Sequence, residues 1–483
     1  MSKKSKSSQK KSIYKQFAKH INPSRELDIP EQLYLDSAES GIFFGYSTAQ
    51  GNDQYIGMPQ GTDGNILVIG GNGSGKSSGI VKPTLQTWHG AICATDIKGE
   101  LSEHYAELSR LAAQRGLKMR PYIIFDPTQE NGPRYDPFWW LSQNGEINLA
   151  DNIMDVVRTI VPDIPNDNQP FWLNAERAVL ASALHYYFRS GLDFSEAICS
   201  LLGKGVTNFS IEVNRSGCDE EKVLLGQIAS ASPKTQASID LGLRSKLHPF
   251  ATNPYIRRAF ARERNDAKCF QWADLERANI FLRIPQNKVD QWGSAINLMY
   301  AQLIRYLENR PDRYSDSESN NVQTLLLMDE FPRFGKLDLI EKAVPTLRSK
   351  NVNVCLVAQS LAQLDMLYGV EGRRNILDNC QYQAILRAND ADTQQTLCQL
   401  IGTTEVMQES ASRSLDSSGR KTGYSTQRTL IREPKLFSHQ LATMNDVVLL
   451  SPYGSSLVKK HLPDSCKTGL GFNRSSGNEG STK

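Results

Sequence analysis

The sequence lacks any long apolar segment. No stretch of the 483 residues approaches the roughly 18 to 20 consecutive apolar positions that a membrane-spanning helix requires. The first residues also lack the apolar core of a secretory signal peptide. We therefore expect a cytoplasmic protein without a transmembrane segment, peripheral to a membrane at most.

Paired cysteines and metal-ligand spacings are absent as well. The eight cysteines are scattered, with no CxxC pair and no grouping of cysteine and histidine at the spacing of a zinc site. This distribution argues against a disulfide framework and predicts reduced thiols, several of them in core strands. The positions are Cys93, Cys199, Cys218, Cys269, Cys355, Cys380, Cys398 and Cys466.

Acidic residues are missing from the N-terminus. Residues 1–20 contain seven lysines and no Asp or Glu. Because the formal net charge of the whole chain is +3, the remaining residues have a net charge of −4. Their low apolar content predicts disorder, either as a solvated tail or as a segment attracted to anionic lipid or nucleic acid. Residues 467–483 are rich in Gly, Ser and Asn and predict a second disordered tail.

The sequence does contain a glycine-rich loop directly after an apolar run. Residues 70–77 (GGNGSGKS) match the phosphate-binding pattern GxxxxGK[ST], and residues 65–69 read as a buried strand. In such a loop backbone N–H groups converge on phosphates, Lys76 adds a positive charge, and the Ser77 hydroxyl can ligate Mg²⁺. The strand disfavours the alternative of a surface loop that matches by chance. We expect ATP to be bound by Gly71, Asn72, Gly73, Ser74, Gly75, Lys76, Ser77 and Ser78.

A second apolar strand ends in two acids. Residues 324–330 (TLLLMDE) predict that Asp329 holds Mg²⁺, directly or through water, and that Glu330 polarises the attacking water. An apolar run before Asp-Glu is a weak signal by itself but a strong one beside a phosphate-binding loop. The 253 positions between Lys76 and Asp329 exceed a few βα units and indicate an insertion.

Further strand ends carry polar residues. Asp96, Asp126 and Gln359 each follow an apolar run, and ligands bind at the carboxyl ends of strands in α/β sheets. Gln359 is predicted to contact the γ-phosphate or the water and to sense hydrolysis, the alternative being a surface glutamine. The polar residues 405–428 predict a loop.

The spacing of apolar residues changes along the chain and divides it into segments. Apolar runs that alternate with helical segments predict a parallel α/β sheet, whereas apolar positions at helical spacing dominate from about residue 141. The predicted fold is an α/β nucleotide-binding domain interrupted by an all-α domain. The segments are an N-terminal tail and lead-in (1–40), the first part of the nucleotide-binding domain (41–140), the all-α domain (141–265), the second part (266–463) and a C-terminal tail (464–483).

Several motifs in order resemble the type IV coupling protein family, the TraG/TraD-like ATPases of conjugation and type IV secretion. They are GGNGSGKSS, DIKGEL at 96–101, YDPFWW at 135–140, LLLMDEFPRFGKL at 325–337, LRSKNVNVCLVAQSLAQL at 347–364 and the later NILDNC and DADTQQTL. The resemblance runs from about residue 57 to residue 462. An ordered set of motifs is far more specific than any single member.

The resemblance implies a RecA-like P-loop NTPase domain that assembles as a hexamer with ATP sites between subunits. It also implies that ATP and Mg²⁺ drive the delivery of relaxase-bound single-stranded DNA, or of protein effectors, to a type IV secretion channel. Lys76, Ser77, Asp329, Glu330 and Gln359 match family positions for phosphate, Mg²⁺, water activation and sensing. A further match, Arg348, is either a finger that reaches a neighbour's ATP or a surface arginine in a local salt bridge.

Family members commonly begin with a membrane anchor, and this sequence shows only the lysine-rich tail. The alternatives are a separate membrane subunit that holds the protein at the inner face of the membrane, a tail that binds lipid headgroups, or an anchorless branch of the family. Two other functions stay open. One is a docking receptor that uses ATP as a conformational ligand, and the other is a general DNA translocase of the same superfamily, which the DIKGEL and LDNC motifs disfavour.

Overall fold

A computed structural model describes most of the chain between residues 27 and 460. The described ranges are 27–35, 40–47, 54–143, 145–164, 168–262, 269–313, 321–337, 343–415 and 421–460. Both predicted tails lie outside them, apart from part of the lead-in. No helix in these ranges is both long enough and apolar enough to cross a membrane.

A mostly parallel sheet of nine strands forms the centre of the fold. Seven neighbouring strands pair in parallel, and an antiparallel hairpin extends one edge. The inner strands are continuous apolar runs because both faces of the sheet are covered. In chain order the strands are β4 (Ile66–Ile69), β5 (Ala91–Asp96), β6 (Tyr122–Phe125), β7 (Asn279–Arg283), β8 (Thr324–Met328), β9 (Val352–Ala358), β10 (Tyr382–Ile385), β13 (Val447–Ser451) and β14 (Gly454–Val458), and in space they run β14-β13-β10-β4-β9-β8-β5-β7-β6.

A small antiparallel sheet precedes the central one. It consists of β1 (Tyr34–Leu35), β2 (Gly41–Ser47) and β3 (Gln54–Pro59) in the order β1-β3-β2. Backbone hydrogen bonds in both directions between Tyr46 and Lys459, of 2.9 and 3.0 Å, join β2 to the end of β14. The two sheets therefore share one apolar layer, which contains Phe44, Ile56, Val68 and Val458.

Helices connect the strands of the central sheet. α1 (Lys82–Thr87) follows the phosphate-binding loop through a π-helical turn, Ser77–Val81, and α2 (Glu100–Gln114) lies between β5 and β6. The later helices are α9 (Gly293–Glu308), α10 (Leu361–Asp378), α11 (Ala391–Ile401) and α12 (Ser438–Thr443). These helices complete the predicted α/β fold.

The connection from β6 to β7 carries the predicted helical insertion. Among its described residues the helices are α3 (Leu149–Ile160), α4 (Pro170–Arg189), α5 (Phe194–Ser216), α6 (Asp219–Ala229), α7 (Pro233–Thr252) and α8 (Pro254–Ala259). The buried face of α3 includes Ile153, Val156, Val157 and Ile160, which are spaced as one side of a helix. An α/β fold with a mostly parallel sheet and a helical insertion is thus confirmed.

The YDPFWW motif attaches the insertion to the sheet. The buried Asp136 carboxylate accepts hydrogen bonds from the Phe138 and Phe194 backbone N–H groups, at 3.0 and 3.3 Å, and pairs with Arg262 at 2.9 Å. Gln302 in α9 donates to the Pro137 carbonyl at 2.9 Å. This motif therefore joins the start of the insertion to its end and to α9.

The prediction for residues 405–428 is wrong. The described residues of this segment instead form two long antiparallel strands, β11 (Thr403–Leu415) and β12 (Lys421–Pro434), which make a two-stranded sheet with each other. Residues 416–420 lie outside the described ranges. At the described ends of the two strands, residues 403–408 and 428–434, no side chain is buried, so the period-2 alternation of apolar and polar residues that marks a half-buried strand is weak there. The pairing starts at Thr403, directly after α11, and ends at Pro434 before α12.

Candidate nucleotide-binding site

The phosphate-binding loop leaves the carboxyl end of β4. Gly73 and Gly75 have φ values of 69° and 92°, in the left-handed region that favours glycine. The chain enters helical conformation at Lys76, and Ser77 and Ser78 form the start of the π-helical turn. The first helical N–H groups thus adjoin the loop, which is the arrangement that binds anions.

The Lys76 ammonium lies over this loop. It donates hydrogen bonds to the Gly70 carbonyl and to the Gly71 carbonyl, the latter at 3.2 Å. Burial lowers its pKa, and the charges of Asp329 and Glu330 partly offset that effect. Lys76 is therefore held between the loop and the acids predicted to act with it.

Asp329 follows β8, two strands from β4 across the sheet. The Ser77 hydroxyl donates to its carboxylate at 3.3 Å, which joins residues 252 positions apart. Two hard oxygen donors at this separation fit adjacent positions around Mg²⁺, so the residues present suit the predicted ion. Burial and the neighbouring Glu330 raise the pKa of Asp329 to about 6, against the attraction of Lys98 and Lys76.

The raised pKa means that the charged Asp329 carboxylate destabilises the folded chain at neutral pH. Between the ordinary value of 3.8 and about 6 the folded chain holds a proton that the unfolded chain has lost, so stability falls as the pH rises through this window. We expect Asp329→Asn to raise the free energy of unfolding by up to ~3 kcal/mol at about pH 8 and by much less near pH 4. Thermal or denaturant unfolding at both pH values measures the difference.

Asp446→Asn is the matched control, because this carboxylate forms an ion pair with Lys459 at the surface. The free energy of unfolding of Asp446→Asn should show no increase over the wild type that grows with pH. A variant Asp329→Asn that is less stable than the wild type at about pH 8 would contradict the assigned cost.

Glu330 occupies a strained backbone position. Its φ of 51° and ψ of 39° are left-handed, one of two such non-glycine residues in the described part of the chain. Such conformations cost of order 1–3 kcal/mol and concentrate at functional sites. The carboxylate is buried except for 10% of the side chain, and it contacts Lys98 Nζ at 2.6 Å and Arg333 Nε at 3.8 Å.

Gln359 directly follows β9, the strand between β4 and β8. The carbonyl of the preceding Ala358 accepts from the Gly70 N–H at 3.2 Å, so the backbone at Gln359 adjoins the start of the loop. Its own N–H donates to the Gln363 side chain at 3.2 Å. The residue is partly exposed at the predicted edge of the sheet.

Arg348 lies at the opposite edge. It belongs to a short 3₁₀ turn, Leu347–Lys350, before the amino end of β9, and it pairs with Asp63 at 3.6 Å with about half of the side chain exposed, 52%. The seven residues of β9 separate it by roughly 20 Å from the loop edge. Arg348 therefore does not join the site of its own chain.

Three cationic side chains at the site were not predicted to take part in it. Lys98 contacts Glu330 as described, Arg387 donates to the Asn72 carbonyl at 3.2 Å, and Lys460 donates to the Ser74 carbonyl at 3.0 Å. Lys98 lies in the DIKGEL motif, so a signal existed for it, whereas Arg387 follows β10 and no motif marked it. Lys460 has none, because only the pairing of β14 with its neighbours brings it to the loop.

The other two acids at strand ends serve their own turns. Asp96 accepts from the N–H and hydroxyl of Ser102 at 2.8 and 2.6 Å, which satisfies the start of α2. Asp126 accepts from the N–H and hydroxyl of Thr128 at 2.9 and 2.6 Å. Their position at the carboxyl edge is as predicted, but these bonds are local and structural.

A separate group in the insertion has the composition of a metal site. Ligand atoms of His185, Cys218 and Glu221 lie within 4.8 Å of one another. Glu221 already bonds to His185 at 2.8 Å, to Arg189 at 3.1 Å and to the Cys218 N–H at 2.8 Å. Because the Glu221 carboxylate already has three hydrogen-bonding partners, one of them an arginine that would repel a cation, we assign this group a structural role at the start of α6. The seven cysteines among the described residues are free thiols, as predicted.

Comparison with known proteins points to one family. Residues 10–453 match the family described as Type IV secretory system Conjugative DNA transfer. The VirD4 protein of Agrobacterium fabrum is 22% identical over 350 residues, which are 71% of this chain and 50% of that protein. The conjugal transfer protein TraG of Escherichia coli is 22% identical over 398 residues, which are 76% of this chain and 61% of that protein. The chain spans about half the length of the VirD4 protein that it matches.

Solved structures share the fold. The bacterial conjugative coupling protein TrwBdeltaN70 superposes with a TM-score of 0.60 at 15% identity and covers 88% of this chain and 89% of its own. The plasmid coupling protein TrwB in complex with ADP and Mg²⁺ gives a TM-score of 0.60 at 16% identity, with 84% and 87% covered.

Proposed function

The chain belongs to the Type IV secretory system Conjugative DNA transfer family, and from this we propose that it is an ATP-hydrolysing coupling protein. It recruits relaxase-bound single-stranded DNA, or protein effectors, and delivers them to a type IV secretion channel. The observation that carries the proposal is the contact between Ser77 and Asp329, at 3.3 Å, which closes a phosphate and cation site from two distant parts of the chain. Glu330 beside it supplies a base for water.

The side chains divide the proposed chemistry among them. The loop N–H groups and Lys76 bind the phosphates, and Ser77 and Asp329 hold Mg²⁺, which neutralises charge on the phosphates when bound. Glu330 accepts the proton of the attacking water. Gln359, beside the loop at the end of β9, senses the terminal phosphate and passes its loss to α10.

We propose a homohexamer in which Arg348 completes the site of a neighbouring copy. Support comes from its exposed side chain, which is 52% accessible, and from its place at the sheet edge away from its own loop. In this assembly residues 141–265 act as an all-α domain, and residues 41–140 and 266–463 form the nucleotide-binding domain. The protein works at the cytoplasmic face of the membrane, beside the channel.

Stimulation by cargo tests this function. We expect the ATPase rate of the purified protein to rise severalfold when single-stranded DNA is added, because a motor that moves along DNA couples ATP turnover to DNA binding. Steady-state ATP hydrolysis with and without a long oligonucleotide measures the effect, and Lys76→Ala provides the background. Stimulation by relaxase or effector protein alone would favour the docking receptor, and a strong preference for duplex DNA without partners would favour a general translocase.

A further inference from the structure

Lys98 lies in the turn between β5 and α2, at the carboxyl edge of the sheet. Its ammonium is 2.6 Å from the Glu330 carboxylate, and about half of its side chain is exposed, 49%. The hydrogen bond to Glu330 raises the pKa of Lys98, so the ammonium is charged at neutral pH. The group proposed to activate water is therefore held in an ion pair.

The turn that carries Lys98 is fixed on both sides. On one side Asp96 is bonded to Ser102 at the start of α2. On the other, Gly99 has a φ of 75°, and a Cβ at this position would come within 2.5 to 2.6 Å of the Arg283 guanidinium. The DIKGEL motif therefore has a physical explanation: its acid and its glycine set the backbone that places the lysine.

Lys98 also faces the place where phosphates are proposed to bind. Its partner Glu330, at 2.6 Å, directly follows Asp329 in the chain. Asp329 in turn accepts a hydrogen bond from the Ser77 hydroxyl of the loop at 3.3 Å, so Lys98 shares one small region with the loop and both acids. A long, half-exposed lysine can change partners within such a region, whereas the Glu330 backbone is held in its left-handed conformation.

We propose that Lys98 is a positioning residue that neutralises Glu330 until a terminal phosphate competes for its ammonium. The dianionic γ-phosphate of a nucleoside triphosphate attracts the lysine, and Glu330 is then free to accept a proton from water. A diphosphate lacks the competing group, so the ion pair persists and water is not activated. This inference rests on the proposed ATPase function and names a control of the same site.

Discrimination between triphosphate and diphosphate tests the proposal. We expect Lys98→Met to weaken binding of a fluorescent non-hydrolysable ATP analogue ~10-fold while binding of fluorescent ADP changes less than about twofold. The kcat for ATP should fall ~10-fold or more, and Lys98→Arg should restore part of both losses. Without added nucleotide the Tm of Lys98→Met should drop, because the buried Glu330 carboxylate loses its contact at 2.6 Å and keeps only Arg333 at 3.8 Å.

Lys82→Met is the matched control, because it breaks an exposed ion pair with Glu100 at 3.0 Å on the helix that follows the loop. It should leave the ratio of the two affinities unchanged. If Lys98→Met lowers the Tm but leaves the ratio of ATP-analogue to ADP affinity unchanged, Lys98 has a structural role only, and the proposed exchange of its partner from Glu330 to phosphate is overturned. Failure of the wild type to bind the ATP analogue or hydrolyse ATP would instead overturn the proposed function, since no Lys98 variant enters that comparison.

Discussion

Glu330→Gln is expected to lower the rate of ATP hydrolysis by roughly 10²- to 10³-fold. The amide keeps the size of the side chain but cannot accept a proton from water. Nucleotide affinity should stay within about a factor of three, because the proposed phosphate ligands are the loop, Lys76 and the Mg²⁺ held by Asp329, and Glu330 is not among them. Single-turnover hydrolysis together with direct binding of an ATP analogue separates the two effects.

The position of Glu330 makes this substitution mild for the fold. A glutamine there would not form the ion pair with Lys98, but its amide can still be hydrogen-bonded, and the backbone strain is the same for either residue. Glu103→Gln is the control, since this carboxylate pairs with Arg283 at 2.9 Å on the surface of α2. A Glu330→Gln enzyme that keeps the wild-type rate would assign water activation to another group.

The loop and its two acids could be predicted from the sequence because each signal is local. A strand followed by GGNGSGKS, and another followed by Asp-Glu, identify themselves without knowledge of the fold. Their spacing also indicated the insertion, since 253 positions require extra structure between the two halves of one site. The carboxyl ends of parallel strands then bring them to one edge.

The partners of these residues could not be predicted in the same way. Whether Lys98 faces Glu330 depends on β8 pairing with β5, and whether Lys460 reaches the loop depends on the hairpin of β13 and β14. Strand order is a property of the whole sheet, and a single sequence carries little information about it. Asp96 is a different case, because its bond to Ser102 is local and depends on the turn between β5 and α2.

The arginine proposed to act between subunits gives the second large effect. Lys76→Ala is expected to reduce ATP hydrolysis at least ~100-fold, because the phosphates lose the lysine proposed to bind them. Arg348→Ala should reduce it by a similar factor if Arg348 reaches the ATP of a neighbouring subunit. Removal of Arg348 should leave the fold intact, since Asp63 retains its ion pair with Arg313. Lys350→Ala, on the same turn and paired with Asp312 at 3.2 Å, is the control.

Mixing the two inactive variants decides between a finger and a surface salt bridge. In a closed ring each site takes its loop from one subunit and its arginine from the next, so an equal mixture restores about one quarter of the sites, those with an intact Lys76 facing an intact Arg348. Hydrolysis by the mixture, compared with the mean of the separate proteins, measures this recovery. If Arg348→Ala alone is as active as the wild type, the contact with Asp63 is its role. If it is inactive but the mixture recovers nothing although mixed hexamers form, Arg348 acts within its own subunit.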